Sequence, residues 1–173
     1  MLEDKDGDGY FETSTIFADD LPWPTGVFCY GGGIFVAATP DIIWLKDTKG
    51  TGKADVRETV FTGFGTGLQR LNVQALMNNF NWGLDNRIHG ATGPIGGNEV
   101  KSTTTNAGPA LDLRGRDFAF DPRSMRMQPV VGGGQYGMSF DSLGRKFVCS
   151  NSDHLQLLMF DLRYAARNPA FAR

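Results

Sequence analysis

Leu2-Glu-Asp-Lys-Asp-Gly-Asp-Gly-Tyr10, followed by Thr15-Ile16-Phe17, returns as Leu45-Lys-Asp-Thr-Lys-Gly-Thr-Gly-Lys53, followed by Thr59-Val60-Phe61. Asp4, Gly7 and Gly9 align with Asp47, Gly50 and Gly52 at a spacing of 43 residues, and Thr15 and Phe17 align with Thr59 and Phe61 at 44. Between the copies lie short apolar runs set off by turn residues. Val27–Tyr30, Ile34–Thr39 and Ile42–Lys46 read as strands, separated by Gly31–Gly33 and Pro40-Asp41. The Asp47–Gly52 loop leads to a fourth strand around Thr59–Phe61. β-branched and aromatic runs bounded by Gly, Pro and Asp are the usual strand-and-turn signal. Four strands in a period of roughly 40–50 residues make one blade of a β-propeller.

Working outward, the pattern recurs less regularly. Phe80–Leu84 and Arg87–Ala91 read as a strand pair around Asp85-Asn86, and Met138–Phe140 and Lys146–Ser150 as another around Asp141–Gly144. Phe118–Phe120 before Asp121-Pro122 resembles Trp44-Leu45 before Asp47, and Thr92–Asn106 reads as an inserted loop. Leu155–Phe160 reads as a last strand, and Asp161 as the cap of a short helix over Leu162–Arg167, ended by Asn168-Pro169. The expected fold is therefore all-β. Residues 1–173 form a partial β-propeller of about three to four blades with a short C-terminal helix. Leu2 closes a strand whose partners should precede it, so the chain reads as a fragment of a six-bladed propeller.

Composition agrees. Of 173 residues, 23 are Gly and 13 are Phe, which suits short strands joined by tight turns. Apolar residues make up 40% and the net charge is −2, so the chain reads as globular, without the basic face of a nucleic-acid binder. No apolar run approaches the roughly 20 residues of a membrane helix. The acidic, Gly-rich start is not a signal peptide. Cys29 and Cys149 make no CxxC pair and read as small buried residues.

Asp4, Asp6 and Asp8 at relative positions 1, 3 and 5, with Gly9 at 6, match the first half of a calcium loop. Calcium takes six to eight hard oxygens, and alternate Asp side chains on a tight loop converge on one point. Tyr10 would offer its backbone carbonyl, and Glu12 would complete the shell directly or through water. Thr15 stands where a helix-loop-helix site has Glu, so a hairpin-loop site is expected. The alternative is an acidic surface turn in which Gly7 and Gly9 supply positive φ. The second copy has Lys49 in place of Asp6. Lys is no calcium ligand, so no metal is expected there, and Lys49 would supply its charge to Asp47.

The two histidines, His89 and His154, are candidate general bases. With Gln74, Asn78, Arg87 and Gln135 they form the polar set that a central funnel would use. The bland alternative is a strand or surface His. No G-x-S-x-G, H-E-x-x-H or P-loop is present, and Trp44 and Trp82 read as blade packing.

These runs also carry a resemblance. Asp4–Gly9, Leu21-Pro-Trp-Pro-Thr-Gly-Val27, Ala38-Thr-Pro-Asp-Ile42, Lys53-Ala-Asp-Val-Arg57 and Phe61-Thr-Gly-Phe-Gly65 are similar to the membrane-bound dehydrogenase propellers of planctomycete-type bacteria. So are Asn81-Trp-Gly-Leu-Asp-Asn-Arg-Ile-His-Gly90, Arg114-Gly-Arg-Asp-Phe118 and Phe147-Val-Cys-Ser-Asn151. That family resembles in turn the glucose/sorbosone dehydrogenases, which use pyrroloquinoline quinone (PQQ) and calcium. The resemblance implies a periplasmic or otherwise extracytoplasmic sugar or alcohol dehydrogenase. It further implies a cytochrome c domain as partner, and an electron acceptor outside this chain because CxxCH is absent. In those enzymes a catalytic His precedes the Asp of a Gly-x-Asp turn. Counting back from Asp85 reaches Ala75, beside Gln74, so His89 or His154 takes that role or the activity has changed. The rival expectation is a non-catalytic propeller that binds carbohydrate or a protein partner.

Overall fold

The computed structural model describes residues 1–67, 72–104, 108–165, 167, 168 and 170. It is built almost wholly of antiparallel strands. β1 (Leu2–Glu3) and β2 (Thr13–Ser14) form a small hairpin around the acidic loop. A first large sheet runs in the order β3 (Gly26–Tyr30), β4 (Gly33–Ala38), β5 (Asp41–Lys46) and β6 (Val56–Thr62). The second sheet runs β7 (Asn78–Trp82), β8 (Ile88–Ala91), then, beyond a two-residue strand β9 (Lys101–Ser102), β10 (Asp117–Asp121) and β11 (Arg126–Val130). The third holds β12 (Met138–Phe140), β13 (Lys146–Val148) and β14 (Gln156–Leu158). The helix is one turn, Leu162–Ala165, shorter than expected, and Ala166 and Pro169 lie outside the described residues.

Each large sheet is a meander, except that in the second β8 pairs with β10 while β9, between them in the chain, joins the first sheet. The first strands, β3, β7 and β12, lie side by side across the sheets, β3 against β7 and β7 against β12. Alternation along each strand decides which face is buried. From the first sheet Phe35, Ala37, Ile42 and Phe61 meet Phe80, Ile88, Phe118 and Phe120 of the second in one aromatic core. Phe35 and Phe120 pack edge to face at 5.2 Å between ring centroids, the arrangement that aromatic quadrupoles prefer. Gly90 is required here, because a Cβ would come within 2.3 Å of the Phe118 ring.

The Thr92–Asn106 insertion does more than loop. Its β9 pairs with β6, so a segment of the second sheet's connection completes the edge of the first; Thr105 and Asn106 lie outside the described residues. Cys29 is exposed and Cys149 half-buried, against the expectation that both are buried. Cys29 alternates with the core-facing Phe28 and Tyr30, so it points away from the second sheet. Trp82 is 40% exposed. It stacks on Phe28 and Tyr30 and so seals the seam between β7 and β3.

Candidate functional site

Two places gather chemistry-bearing side chains. The first is the hairpin loop between β1 and β2. Asp4 turns inward, and its two oxygens accept the N–H groups of Gly7 (2.6 Å) and Gly9 (2.9 Å). Those two donors, Gly9 first, hold the Asp4 carboxyl below its ordinary range, so it stays ionised. Asp8 accepts from the Tyr10 N–H at 2.7 Å, and Glu12 from the Lys5 N–H at 2.8 Å. Gly7 and Gly9 make the curl possible with φ of 79° and 90°. The result brings one oxygen from each of Asp4, Asp6, Asp8 and Glu12 within 4.8 Å of one another. A carboxylate has about four lone-pair positions, so acceptor capacity remains for a cation. This donor set, all hard oxygen, fits calcium in kind.

The loop between β5 and β6 has the same construction. Asp47 accepts from Gly52 N–H at 2.7 Å, as Asp4 does from Gly9, and Asp55 accepts from Thr48 N–H at 2.7 Å, as Glu12 does from Lys5. Where the first loop has Asp6, the second has Lys49, whose ammonium lies 3.5 Å from Asp55. This corrects the expectation that Lys49 serves Asp47. The loop doubles back, so its ninth position faces its third. An internal ammonium thus offsets the carboxylates of the second loop, and the first has no equivalent.

The second place is the seam between the second and third sheets. His89 on β8 is 8% exposed, and its Nε2 lies 2.9 Å from an Asp85 oxygen on the β7–β8 turn. Nδ1 is buried and, among the described residues, has no hydrogen-bond partner. Burial pushes the imidazole below its ordinary pKa, and the Asp85 contact opposes this. Beside it, Lys146 of β13 reaches Asp117 of β10 at 2.5 Å and the Val131 carbonyl at 3.0 Å. Asp117 is fully buried and also accepts from the N–H groups of Thr92 and Gly133. Burial pulls the Lys146 ammonium below its ordinary value, and Asp117 holds it charged. A cavity of about 400 Å³, lined among others by Asp85, His89, Gln128, Phe140, Lys146 and Leu158, opens along this seam.

A family model described as a domain of unknown function, DUF7133, matches residues 1–173. The chain belongs to the DUF7133 family. No curated protein and no solved structure matches it.

The DUF7133 fold separates the polar residues expected to share a funnel. Arg87 lies 3.9 Å from Asp85, so it joins the His89 group. Asn78 donates instead to the backbone carbonyls of Leu76 (2.8 Å) and Gln135 (3.0 Å), tying β7 to the connection before β12. The Gln74 N–H is capped by Asn72 and its side chain is exposed. His154 is exposed in the loop before β14. No hydrogen bond or ion pair among the described residues links the His89 group to the Asn78 group. The sequence reading missed Asp85, Asp117 and Lys146 as a set. The local signal for Asp85 was its place four residues before His89; nothing local pairs Asp117 with Lys146.

The seam does not fit a quinone that carries several carboxylates. Lys146 is neutralised by Asp117, Arg145 by Asp141 at 2.6 Å, and Arg87 by Asp85. The described cations at this seam are therefore already paired, and the base candidate offers no accessible nitrogen at Nδ1. The His89 pair reads as a packing element, and this has a pH consequence. Its pKa is lowered in the folded chain, so the unfolded chain binds the proton more readily, and stability falls as pH drops below about 6.5. Thermal melts between pH 7.5 and 5 are expected to fall more steeply for the wild type than for His89→Asn. Parallel curves would show that His89 does not titrate with unfolding.

Proposed function

We propose that this DUF7133 chain is a calcium-ordered part of a β-propeller, belonging to an extracytoplasmic quinoprotein-like dehydrogenase that acts on a sugar or alcohol. The observation that carries the calcium is the pair of matched loops. One has four converging carboxylates and the other carries its own ammonium at the position of Asp6. Side-by-side first strands in three successive meanders support the propeller. Among the described residues no helix is long and apolar enough to cross a membrane. The dehydrogenase reading rests on the sequence resemblance. The paired cations at this seam offer PQQ no seat among the described residues. Within the enzyme these residues are scaffold: Asp4, Asp6, Asp8 and Glu12 would hold calcium, and Lys146, Asp117, Asp85 and His89 join the sheets.

The paired cations also favour a second reading, a non-catalytic propeller that binds carbohydrate or a protein partner. One assay separates the two. The full-length protein, supplied with calcium and PQQ, is expected to reduce an artificial dye with sugars or alcohols, and His89→Gln is expected to retain turnover while melting lower. No dye reduction together with no quinone binding would reject the dehydrogenase and leave the binding module.

A further inference from the structure

The acidic hairpin runs straight into the segment that covers the first sheet. β2 ends at Ser14, the Thr15 N–H donates to the Met1 carbonyl at 2.8 Å, and the cover begins two residues later. Phe17, Ala18 and Leu21 lie on the outer face of that sheet, packed on the cluster of Val36, Ala38, Ile43 and Leu45, none of which is more than 5% exposed. The backbone of this strap is held through its carbonyls. Phe17 accepts from the Ala54 N–H at 2.8 Å, Asp19 from Arg57 Nη1 at 3.0 Å and Asp20 from Arg57 Nη2 at 2.7 Å. These donors stand at the close of the β5–β6 loop and the start of β6. The same loop seats the hairpin, because a Cβ at Gly52 would meet the Thr15 methyl at 3.5 Å. Hairpin base and strap therefore share one seat. The hairpin itself is weak. It has two residues in each strand, and a lone two-stranded hairpin is marginal in water.

We infer that calcium at the Asp4–Glu12 loop locks this strap, and that removing the ion frees Phe17–Leu21 while the sheets stay folded. This rests on the calcium reading above. Without a cation the four carboxylates repel one another, and the short hairpin is the first element to open. Opening lifts Thr15 from Gly52 and pulls on the Phe17 carbonyl two residues on. Arg57 and the apolar contacts of Phe17, Ala18 and Leu21 then hold the strap alone. Its release bares Val36, Ile43 and Leu45, so the exposure of an apolar face follows the calcium level. The sheets do not follow the strap, because the aromatic core lies on the other face of β4 and β5, with Phe35, Ala37 and Ile42.

The test is chymotrypsin cleavage after the half-buried Phe17, with a free peptide substrate in the same tube to report protease activity. Calorimetric titration with calcium alone gives the Kd. At a hundred times that Kd, cleavage is expected to run about a hundredfold slower than in chelator, because the open state holds no ion and its population falls by that factor. Phe118 and Phe120, fully buried in the core, should stay uncut in both. Arg57→Ala is expected to bind calcium as the wild type does and to be cut faster with the ion present. Asp6→Lys, with an ammonium in place of the ion, should be cut slowly in chelator and be indifferent to calcium. Calcium that binds at the loop but changes the Phe17 rate by less than about twofold overturns the lock and leaves the calcium reading standing. No calorimetric binding rejects both. Cleavage at Phe118 alongside Phe17 in chelator would show the whole fold opening, and Arg57→Ala cut no faster than the wild type would show a strap not seated on β6; either overturns the inference.

Discussion

Lys146→Met is expected to destabilise the chain by about 3–5 kcal/mol, the usual loss when one partner of a buried ion pair is removed. The Asp117 carboxylate is fully buried and would keep only two backbone donors, the N–H groups of Thr92 at 3.3 Å and Gly133 at 3.1 Å. It has nowhere to turn, because the side chain crowds Gly132, where an added Cβ would stand 2.0 Å from it. The pair joins β10 to β13, so the third sheet should open before the rest, with earlier hydrogen exchange in Met138–Phe140 and Lys146–Val148. Adding Asp117→Asn to Lys146→Met removes the stranded charge while keeping an acceptor for the N–H groups, and should recover much of the loss. Urea unfolding measures both. A loss under about 1 kcal/mol for Lys146→Met, the range of exposed pairs, would mean that water reaches Asp117 and that the pair does not hold the sheets together.

What was legible in the sequence was local. Gly31–Gly33 and Pro40-Asp41 mark turns with residues that only turns need, and β3, β4 and β5 fall within a residue or so of the runs between them. The two Asp-Gly loops were legible because each is closed by its own carboxylate on N–H groups a few residues away. The partner of Lys49 was not, since choosing Asp55 over Asp47 depends on how the loop doubles back. Pairings across long separations left no local trace. β9 joins β6 from within a segment that reads as loop, and Lys146 finds Asp117 across 29 positions. Burial of Cys29 was misjudged for a related reason. Alternation puts Cys29 on the face opposite Phe28, but only the assembled sheets decide which face is covered. The His89 group and the Asn78 group read as one funnel set because polar residues near strand ends look alike in sequence. In the fold, Asp85 claims one and the Gln135 carbonyl the other.

Calcium is expected to raise the melting temperature of the wild type and to leave that of Asp6→Lys unchanged. A ligand that binds only the folded state at a hundredfold above its Kd adds about 2.7 kcal/mol, which for a chain of this size is roughly 5–10 °C. Without the ion, Asp4, Asp6, Asp8 and Glu12 repel one another across less than 4.8 Å, and this loop is the tip of a hairpin with two residues in each strand. Asp6→Lys copies the arrangement of Lys49 with Asp55. In chelator it should therefore melt above the wild type, because the ammonium replaces the repulsion that the cation would otherwise relieve. The reciprocal change, Lys49→Asp, should lower the melting temperature in chelator and enlarge the calcium response. An equal calcium shift in the wild type and in Asp6→Lys would place the ion elsewhere. No shift in either would make the loop an acidic turn held by the backbone N–H bonds that Asp4, Asp6, Asp8 and Glu12 accept. The matched loops make the test sharp, since each substitution moves one loop toward the charge state of the other while the Asp4 and Asp47 bonds to glycine N–H groups stay in place; Asp6→Lys gives up only the bond that Asp6 accepts from the Asp8 N–H at 3.2 Å.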